Sequence, residues 1–153
     1  DIASGSPIAE QIAIVLQDAF SQVGVTMNIN PQSSSEFAEQ LGTLEHQAWM
    51  RDLLWYVDDA GYTGKLFFQT GAVANWMGYS NPDLDAVIDE LSVTLDPERK
   101  AELAAEYQRL LIADAPALYV AEMPFEIAMR EDIQGYVQLP DNLLWYYPLF
   151  RGE

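Results

Sequence analysis

The sequence predicts an α/β fold in which helices flank a small mixed sheet. Several segments carry complete helix start and stop signals, and others alternate apolar and polar residues with the period of a strand. Half of the 153 residues are hydrophobic, which is enough to build a core, and this length fits one domain with room for an appendage. The chain is therefore expected to fold around one α/β core.

The first αβ unit is predicted near the N-terminus. Residues 7–23 repeat apolar side chains at helical spacing, with Ser6 as N-cap and Gly24 as terminator. Residues 25–29 then alternate apolar and polar side chains, which is the period of a strand with one polar face, and Pro31 is expected to close it. The order of helix and strand predicts that the two pack together.

A short helix, a strand and an irregular segment are predicted next. Ser33 and Glu36 have capping-box spacing ahead of an apolar stripe. Residues 48–57 are dense in aromatic and branched side chains and too short for a typical helix, so they are interpreted as a strand. The following DDAGYTG has the composition of a loop, and residues 66–79 are expected to be irregular with one helical turn.

A helical hairpin is the clearest prediction in the second half. Asn81 and Pro82 open its first helix, Asp96 and Pro97 open its second, and Pro116 ends it. Two short strands are expected around Pro124. The aromatic, proline-broken residues 135–153 have no clear period and need a surface to lie on.

Charge and composition exclude several classes of protein. The 24 acidic residues outnumber 7 basic ones and give a formal charge of −17, so neither nucleic acid nor an anionic membrane is an expected partner. The chain has no cysteine, and its one histidine, His46, is predicted to be a solvated loop residue, which leaves no thiolate or two-histidine metal site. No nucleophile motif or phosphate-binding glycine pattern is present. No cofactor, no metal and no enzymatic activity are expected.

The N-terminal sequence bears on export. It lacks the basic and apolar regions of a secretory signal, and no apolar run reaches the roughly 20 residues that cross a bilayer. If the protein is exported, its signal peptide is absent from this sequence.

Three stretches of the chain carry a resemblance to a known family: IAEQIAIVLQDAFSQVGVTMNI, then YSNPDLDAVIDELSVTLDPERKAELAAEYQRLLIADAPALYV, and GYV near the end. They are similar to the C-terminal lobe of the extracytoplasmic solute-binding proteins of peptide and nickel ABC transporters, bacterial solute-binding protein family 5. The most specific part is YSNP-x-x-D, followed by an Asp-Pro-x-x-Arg helix and a D-A-P terminator.

This resemblance implies that the chain is a fragment of a longer, two-lobed protein of the periplasmic-binding-protein (class II) kind. Residues 1–132 would form the C-terminal lobe, and residues 133–153 would return to the missing N-terminal lobe. The implied function is capture of a small solute, an oligopeptide or another amino-bearing compound, outside the cytoplasmic membrane for delivery to ABC permease subunits. Without its usual resting surface, the tail could also drive self-association.

The candidate ligand site lies where an aromatic segment runs into adjacent carboxylates. Trp55, Tyr56, Asp58 and Asp59 combine rings with negative charge, which suits a ligand that has an ammonium group and an apolar body. In peptide-binding members, a Trp is followed three residues later by the Asp that holds the ligand's amino group, and this spacing selects Trp55 and Asp58. Family members often continue with an Asp-Pro pair. If Asp59-Ala60 is aligned with that pair instead, Asp59 corresponds to a different acidic residue of the family, and not to the one that holds the amino group. Trp76 is a further candidate for the cleft wall.

Structural alternatives stand beside each site prediction. Asp58 and Asp59 could simply cap or hydrogen-bond the loop, and Trp76 could be a core aromatic residue. A different class of function is also open, namely a free-standing acidic protein-interaction domain that uses its aromatic C-terminus. A small hydrolase that uses Asp58 is the third possibility.

Overall fold

A computed structural model describes residues 1–53, 57, 59–122, 126–137, 139 and 145–152. It contains helices and two short two-stranded sheets, so the α/β class predicted from the sequence is confirmed. The chain divides into two compact units. Unit 1 comprises Asp1–Leu54 with Trp76–Gly78, and unit 2 comprises Trp55–Asn75 with Tyr79–Glu153.

Unit 1 is built around a short parallel strand pair. Strand β1 (Ile2–Ala3) pairs with β2 (Pro31–Gln32), in the register Ile2 to Pro31 and Ala3 to Gln32. Met50 forms an isolated parallel bridge to Ile2 from the other side. Because Ile2 is central and buried, it anchors the small core of this unit.

Two helices of unit 1 contact β1. Helix α1 (Pro7–Gln22) begins at Ser6, whose hydroxyl accepts the Ala9 N–H, and helix α2 (Ser34–Thr43) begins with the predicted capping box. Helix α2 buries Phe37 and Leu41. Both helix predictions are confirmed, including the cap residues, because local side-chain hydrogen bonds decide where a helix starts.

Two details of unit 1 correct the sequence prediction. The strand expected over residues 25–29 is absent, and pairing begins only at Pro31, which was expected to close it. Helix α1 buries Ala13, whereas Val15 and Val23 of the predicted apolar face are 67% and 74% exposed. Alternation and helical spacing show only how apolar residues recur along the chain. Which side of a helix or strand is buried depends on the surface that it packs against.

The first described helix of unit 2 is one that the sequence did not predict. Helix α3 (Ala60–Thr63) continues directly into a π-helical turn (Gly64–Phe68), where a loop was expected over residues 58–64. A Cβ on Gly64 would lie 2.8 Å from Cγ1 of Ile88, and a Cβ on Gly61 would lie 3.0 Å from the Ser92 backbone. The two glycines therefore permit close packing against the next helix, rather than marking a loop.

The predicted helical hairpin forms the centre of unit 2. Helix α4 (Pro82–Val93) starts at Asn81, and helix α5 (Pro97–Asp114) starts at Asp96. Their facing apolar side chains are buried, and these are Leu84, Ile88, Leu91, Leu103, Tyr107 and Leu111. Ala115 then adopts a left-handed conformation ahead of Pro116, which ends α5 where the sequence predicted.

The C-terminal region of unit 2 contains one antiparallel pair. Strand β3 (Ile133–Gln134) pairs with β4 (Phe150–Arg151), and Asp132 forms ion pairs with Arg130 and Arg151. The two strands expected around Pro124 are wrong where the chain is described, because residues 117–122 and 126–132 form no strand. Leu118, Tyr119 and Val120 are exposed, and no strand among the described residues pairs with these segments.

No helix within the described parts of the chain has both the length and the apolar composition that spanning a bilayer requires.

Candidate functional site

Asn75 is a buried amide of unit 2 that ties two backbone segments together. Asn75 is 8% exposed, and its Nδ2 donates to the carbonyl oxygens of Gln69 (3.1 Å) and Tyr79 (2.7 Å). Its Oδ1 accepts the N–H of Tyr79 at 3.1 Å. Because a buried amide that makes three hydrogen bonds is costly to disturb, Asn75 holds the backbone at Gln69 and Tyr79 together within unit 2.

The Trp76 cluster consists of His46, Trp49, Arg51 and Trp76, all in unit 1. The ring of Trp49 meets that of Trp76 edge to face, with centroids 6.0 Å apart and an interplanar angle of 78°. The Arg51 guanidinium lies 4.7 Å from the Trp76 ring centroid. Both contacts have geometries that are favourable for the ring quadrupole, so the indole is held in one orientation.

His46 anchors the backbone of this cluster. Its Nε2 is 3.0 Å from the Trp76 carbonyl oxygen, which can only accept, so Nε2 carries the hydrogen. The ring of His46 is also edge to face with Trp49, at 6.1 Å. His46 lies in a loop, as predicted, but the prediction that it is solvated is wrong, because its ring is half-buried and hydrogen-bonded to the Trp76 carbonyl oxygen 30 positions away.

Asp59 is the N-cap of α3 in unit 2. Its Oδ1 accepts the Tyr62 N–H at 2.9 Å, and its Oδ2 pairs with Nζ of Lys100 on α5. The hydrogen bond from Lys100, with that from Tyr62, holds the pKa of Asp59 below its usual range. The capping role named as the structural alternative is thus present at Asp59, and a ligand contact by this residue stays a prediction.

The predicted site residues are distributed as follows. Trp55, Tyr56 and Asp58 lie outside the described residues. Asp59 belongs to unit 2 and Trp76 to unit 1, and each has defined neighbours within its own unit. Trp76 is half-buried against Trp49 and Arg51, which combines the packing role with a partly accessible ring.

Sequence reasoning did not single out Arg51 or Lys100. Arg51 lies within the segment predicted as a strand, and Lys100 lies within the second helix of the predicted hairpin. Their contacts are to residues 25 and 41 positions away, so no local pattern contains them. The sequence offers one general signal. Its 24 acidic residues outnumber the 7 basic ones, so carboxylates are available to pair with the cations.

Metal ligands do not cluster in the described parts of either unit. No group of three or more His, Asp or Glu side chains there has the arrangement of a metal site.

Comparison with known proteins gives one consistent result. The probable D,D-dipeptide-binding periplasmic protein DdpA of Escherichia coli is 19% identical and is matched over 90% of this chain and 27% of its own length. The oligopeptide-binding protein AppA of Bacillus subtilis, solved with a nonapeptide, has a TM-score of 0.76 at 15% identity, over 99% of this chain and 31% of that protein. NikA of Staphylococcus aureus with Ni(L-His)2 gives 0.74 at 18% identity, over 98% and 33%. No family model matches the chain.

These likenesses show the fold to which the chain belongs. The chain has the fold of a part of the two-lobed substrate-binding proteins, which are transport proteins and not enzymes. Within that class, its resemblance to the substrate-binding proteins of peptide and nickel ABC transporters, inferred from the sequence, is confirmed. The chain spans about a quarter to a third of the length of these relatives.

Proposed function

We propose that this chain is the C-terminal lobe region of an ABC-transporter substrate-binding protein that captures a peptide-like solute outside the cytoplasmic membrane and delivers it to the permease. The observation that carries this proposal is the match of almost the whole chain, at a TM-score of 0.76, to an oligopeptide-binding protein. The sequence similarity to DdpA, a probable D,D-dipeptide-binding protein, supports a peptide-like ligand as well.

The proposed contacts are those that suit an amino-bearing ligand. Trp55, Tyr56 and Trp76 supply aromatic wall, and Asp58 supplies the carboxylate for the ammonium group. Asp59 is assigned the minor role, since its two carboxylate oxygens are already engaged by Tyr62 and Lys100. Closure of two lobes around the solute would provide the signal to the permease.

The C-terminal tail has a proposed role in joining the two lobes. Its stacked rings of Trp145 and Tyr147 are 6.4 Å apart, and Tyr147 is 90% exposed. Such exposed aromatic area is typical of a surface that another part of the protein covers. We assign residues 133–153 to contact with the other lobe.

The same aromatic surface supports the second candidate function, a protein-interaction domain that acts without the rest of a binding protein. In that case the tail would bind a partner protein or a second copy of the chain, and no small solute would be bound by the Trp76 cluster. Light scattering of the purified chain separates self-association from a monomer with an uncovered tail.

Calorimetry is the direct test of the transport proposal. The intact two-lobed protein should bind one of three probes, a dipeptide mixture, an oligopeptide mixture or NiCl2 with L-histidine, and peptides are expected to give the signal. The 153-residue chain alone should bind the same peptide far more weakly, because half of the contacts are missing and each tenfold loss corresponds to only about 1.4 kcal/mol. Equal binding by the isolated chain, or binding of the nickel complex alone, would overturn the proposal.

A further inference from the structure

Asp114 closes the open end of the helical hairpin. It is the last residue of α5, and its Oδ2 accepts one hydrogen bond from the Tyr79 hydroxyl and another from Asn81 Nδ2, each at 2.6 Å. Asn81 is also the N-cap of α4, because its Oδ1 accepts the N–H groups of Asp83 and Leu84. One carboxylate therefore joins the end of α5 to the start of α4, entirely within unit 2.

An aspartate at this position is unfavourable for α5 itself. The carboxyl end of a helix carries partial negative charge, which repels a carboxylate there, and the last turn of α5 contains no basic residue. The hydrogen bonds from Tyr79 and Asn81 hold the pKa of Asp114 below its usual range, so the side chain is ionised at neutral pH. The bonds to the start of α4 therefore offset a local electrostatic cost.

The next residue along the chain carries a second local cost. Ala115 has φ 47° and ψ 50°, which is the left-handed region that favours glycine. Its N–H donates to the Leu111 carbonyl oxygen at 2.9 Å, and Pro116 follows it. A residue with a Cβ keeps this conformation only where its surroundings fix the backbone. The bonded side chain of Asp114, its neighbour in the chain, supplies such a fixed point.

We propose that Asp114 and Ala115 form a latched hinge between the helical hairpin and the chain that follows it. While Asp114 is bonded to the start of α4, Ala115 is held in the left-handed conformation and the chain leaves α5 in one direction. When these bonds are broken, Ala115 relaxes to the negative φ that alanine prefers, and the chain from Pro116 onward is redirected. Residues 117–122 form no helix or strand, so they can follow this change. The hinge does not depend on which solute the protein binds.

Hydrogen exchange of the Ala115 amide in ¹⁵N-labelled protein tests the latch, with the Lys100 amide near the start of α5 as internal reference. Asp114→Ala should make the Ala115 amide exchange about two- to tenfold faster, the range expected for one hydrogen bond, and should leave the Lys100 amide unchanged. Helix propensity and the helix dipole alone predict slower exchange, because alanine is the better helix former and removes the repelled charge. Slower or equal exchange in Asp114→Ala would overturn the proposal.

Glu90→Ala is the matched control at the other end of the hairpin. Glu90 Oε1 accepts a hydrogen bond from Arg99 Nε at 2.9 Å, so this variant also removes an exposed carboxylate that joins α4 to α5. The Ala115 amide should exchange at the unaltered rate in Glu90→Ala. Equal acceleration in Glu90→Ala and Asp114→Ala would show that exchange reports only the overall stability of the hairpin, and the latch would be rejected.

The backbone conformation of Ala115 tests the hinge directly. At positive φ the amide and Cα hydrogens of one residue lie close together, so the nuclear Overhauser effect between them is strong. It should be strong in the unaltered protein and weak in Asp114→Ala. Glycine adopts positive φ without a steric cost, so adding Ala115→Gly to Asp114→Ala should reduce the acceleration of exchange at position 115. A strong effect at Ala115 that persists in Asp114→Ala would overturn the hinge, whatever the exchange rate.

Discussion

Lys100, on the first turns of α5, pairs with Asp59, the N-cap of α3, across 41 positions of sequence. Asp59 simultaneously accepts the Tyr62 N–H at 2.9 Å. One carboxylate therefore caps a four-residue helix and binds it to the helical hairpin. Because so short a helix has little stability of its own, these tertiary contacts decide that it forms.

Removal of the Asp59 side chain should lower the stability of the protein more than removal of the Lys100 charge. Asp59→Ala loses the cap and the ion pair and should lower the free energy of unfolding by about 1–2 kcal/mol, whereas Lys100→Met should cost less than about 1 kcal/mol because the cap remains. Lys65→Met is the control, since its pair with Asp89 is more exposed. Urea unfolding measures all three, and an equal loss in Asp59→Ala and Lys65→Met would contradict the capping role.

The depressed pKa of Asp59 predicts an acid dependence of stability. Its folded-state pKa lies below the unfolded value, so the stabilising contribution is present above that unfolded value and is lost as the pH falls through the folded one. NMR titration of the Asp59 carboxyl should show its midpoint rising toward 3.8, the value without perturbation, in Lys100→Met. A midpoint that does not move would show that Lys100 is not the main cause.

Tyr79 predicts a loss of stability at alkaline pH. Burial, with a hydrogen bond to Asp114 at 2.6 Å, raises the pKa of Tyr79 to about 12. Since the folded state holds this proton more tightly, the stabilisation is complete below the ordinary value of 10.0 and is lost as the pH rises toward 12. The melting temperature of the unaltered protein should fall across that interval more steeply than that of Tyr79→Phe. Tyr146→Phe, at an exposed position, is the control.

Two glycines should respond to alanine with opposite signs. A Cβ on Gly64 would meet the fully buried Ile88 at 2.8 Å, so Gly64→Ala should destabilise by about 1–3 kcal/mol. Gly42 lies in α2 with no atom within 4 Å of the added Cβ, so Gly42→Ala should stabilise by about 0.5–1 kcal/mol. Thermal melting of both variants tests the close packing of the π-helical turn on α4.

The acidic anchor of the ligand can be tested in the intact two-lobed protein. Asp58→Ala should weaken peptide binding by about 2–5 kcal/mol, because it removes one partner of a desolvated charge pair. Asp59→Ala should cost far less, since its carboxylate is engaged by Lys100. Calorimetry measures both losses of binding free energy, on samples in which both variants are folded. A larger loss at Asp59 would select the alternative Asp-Pro register.

The tail should contribute little to the stability of unit 2. Strands β3 and β4 pair over two residues each, Phe150 is 55% exposed, and the ion pairs of Asp132 are on the surface. Deletion of residues 134–153 should therefore leave the melting temperature nearly unchanged. A large decrease would show that the tail belongs to the core of this unit.

The starts of α1, α2, α4 and α5 were determined by the sequence, because their causes are local. Ser6, Ser33, Asn81 and Asp96 all act as N-caps at the positions where the sequence predicts them. A cap bonds to an N–H two or three residues away, so the signal and its partner lie within one window. The family resemblance was likewise visible in the spacing of the helical hairpin.

Features that depend on contacts between residues far apart in the sequence were decided by the tertiary structure. The strand expected over residues 25–29 is absent, and α3 with its π-helical turn replaces an expected loop, because packing of Gly61 and Gly64 on α4 overrides their usual preference for turns. The pairing of Lys100 with Asp59 and the contact of the Arg51 guanidinium with the Trp76 ring were equally beyond local patterns. Each joins residues more than 20 positions apart, and the free energy of such contacts depends on which surfaces the folded chain brings within a few ångströms.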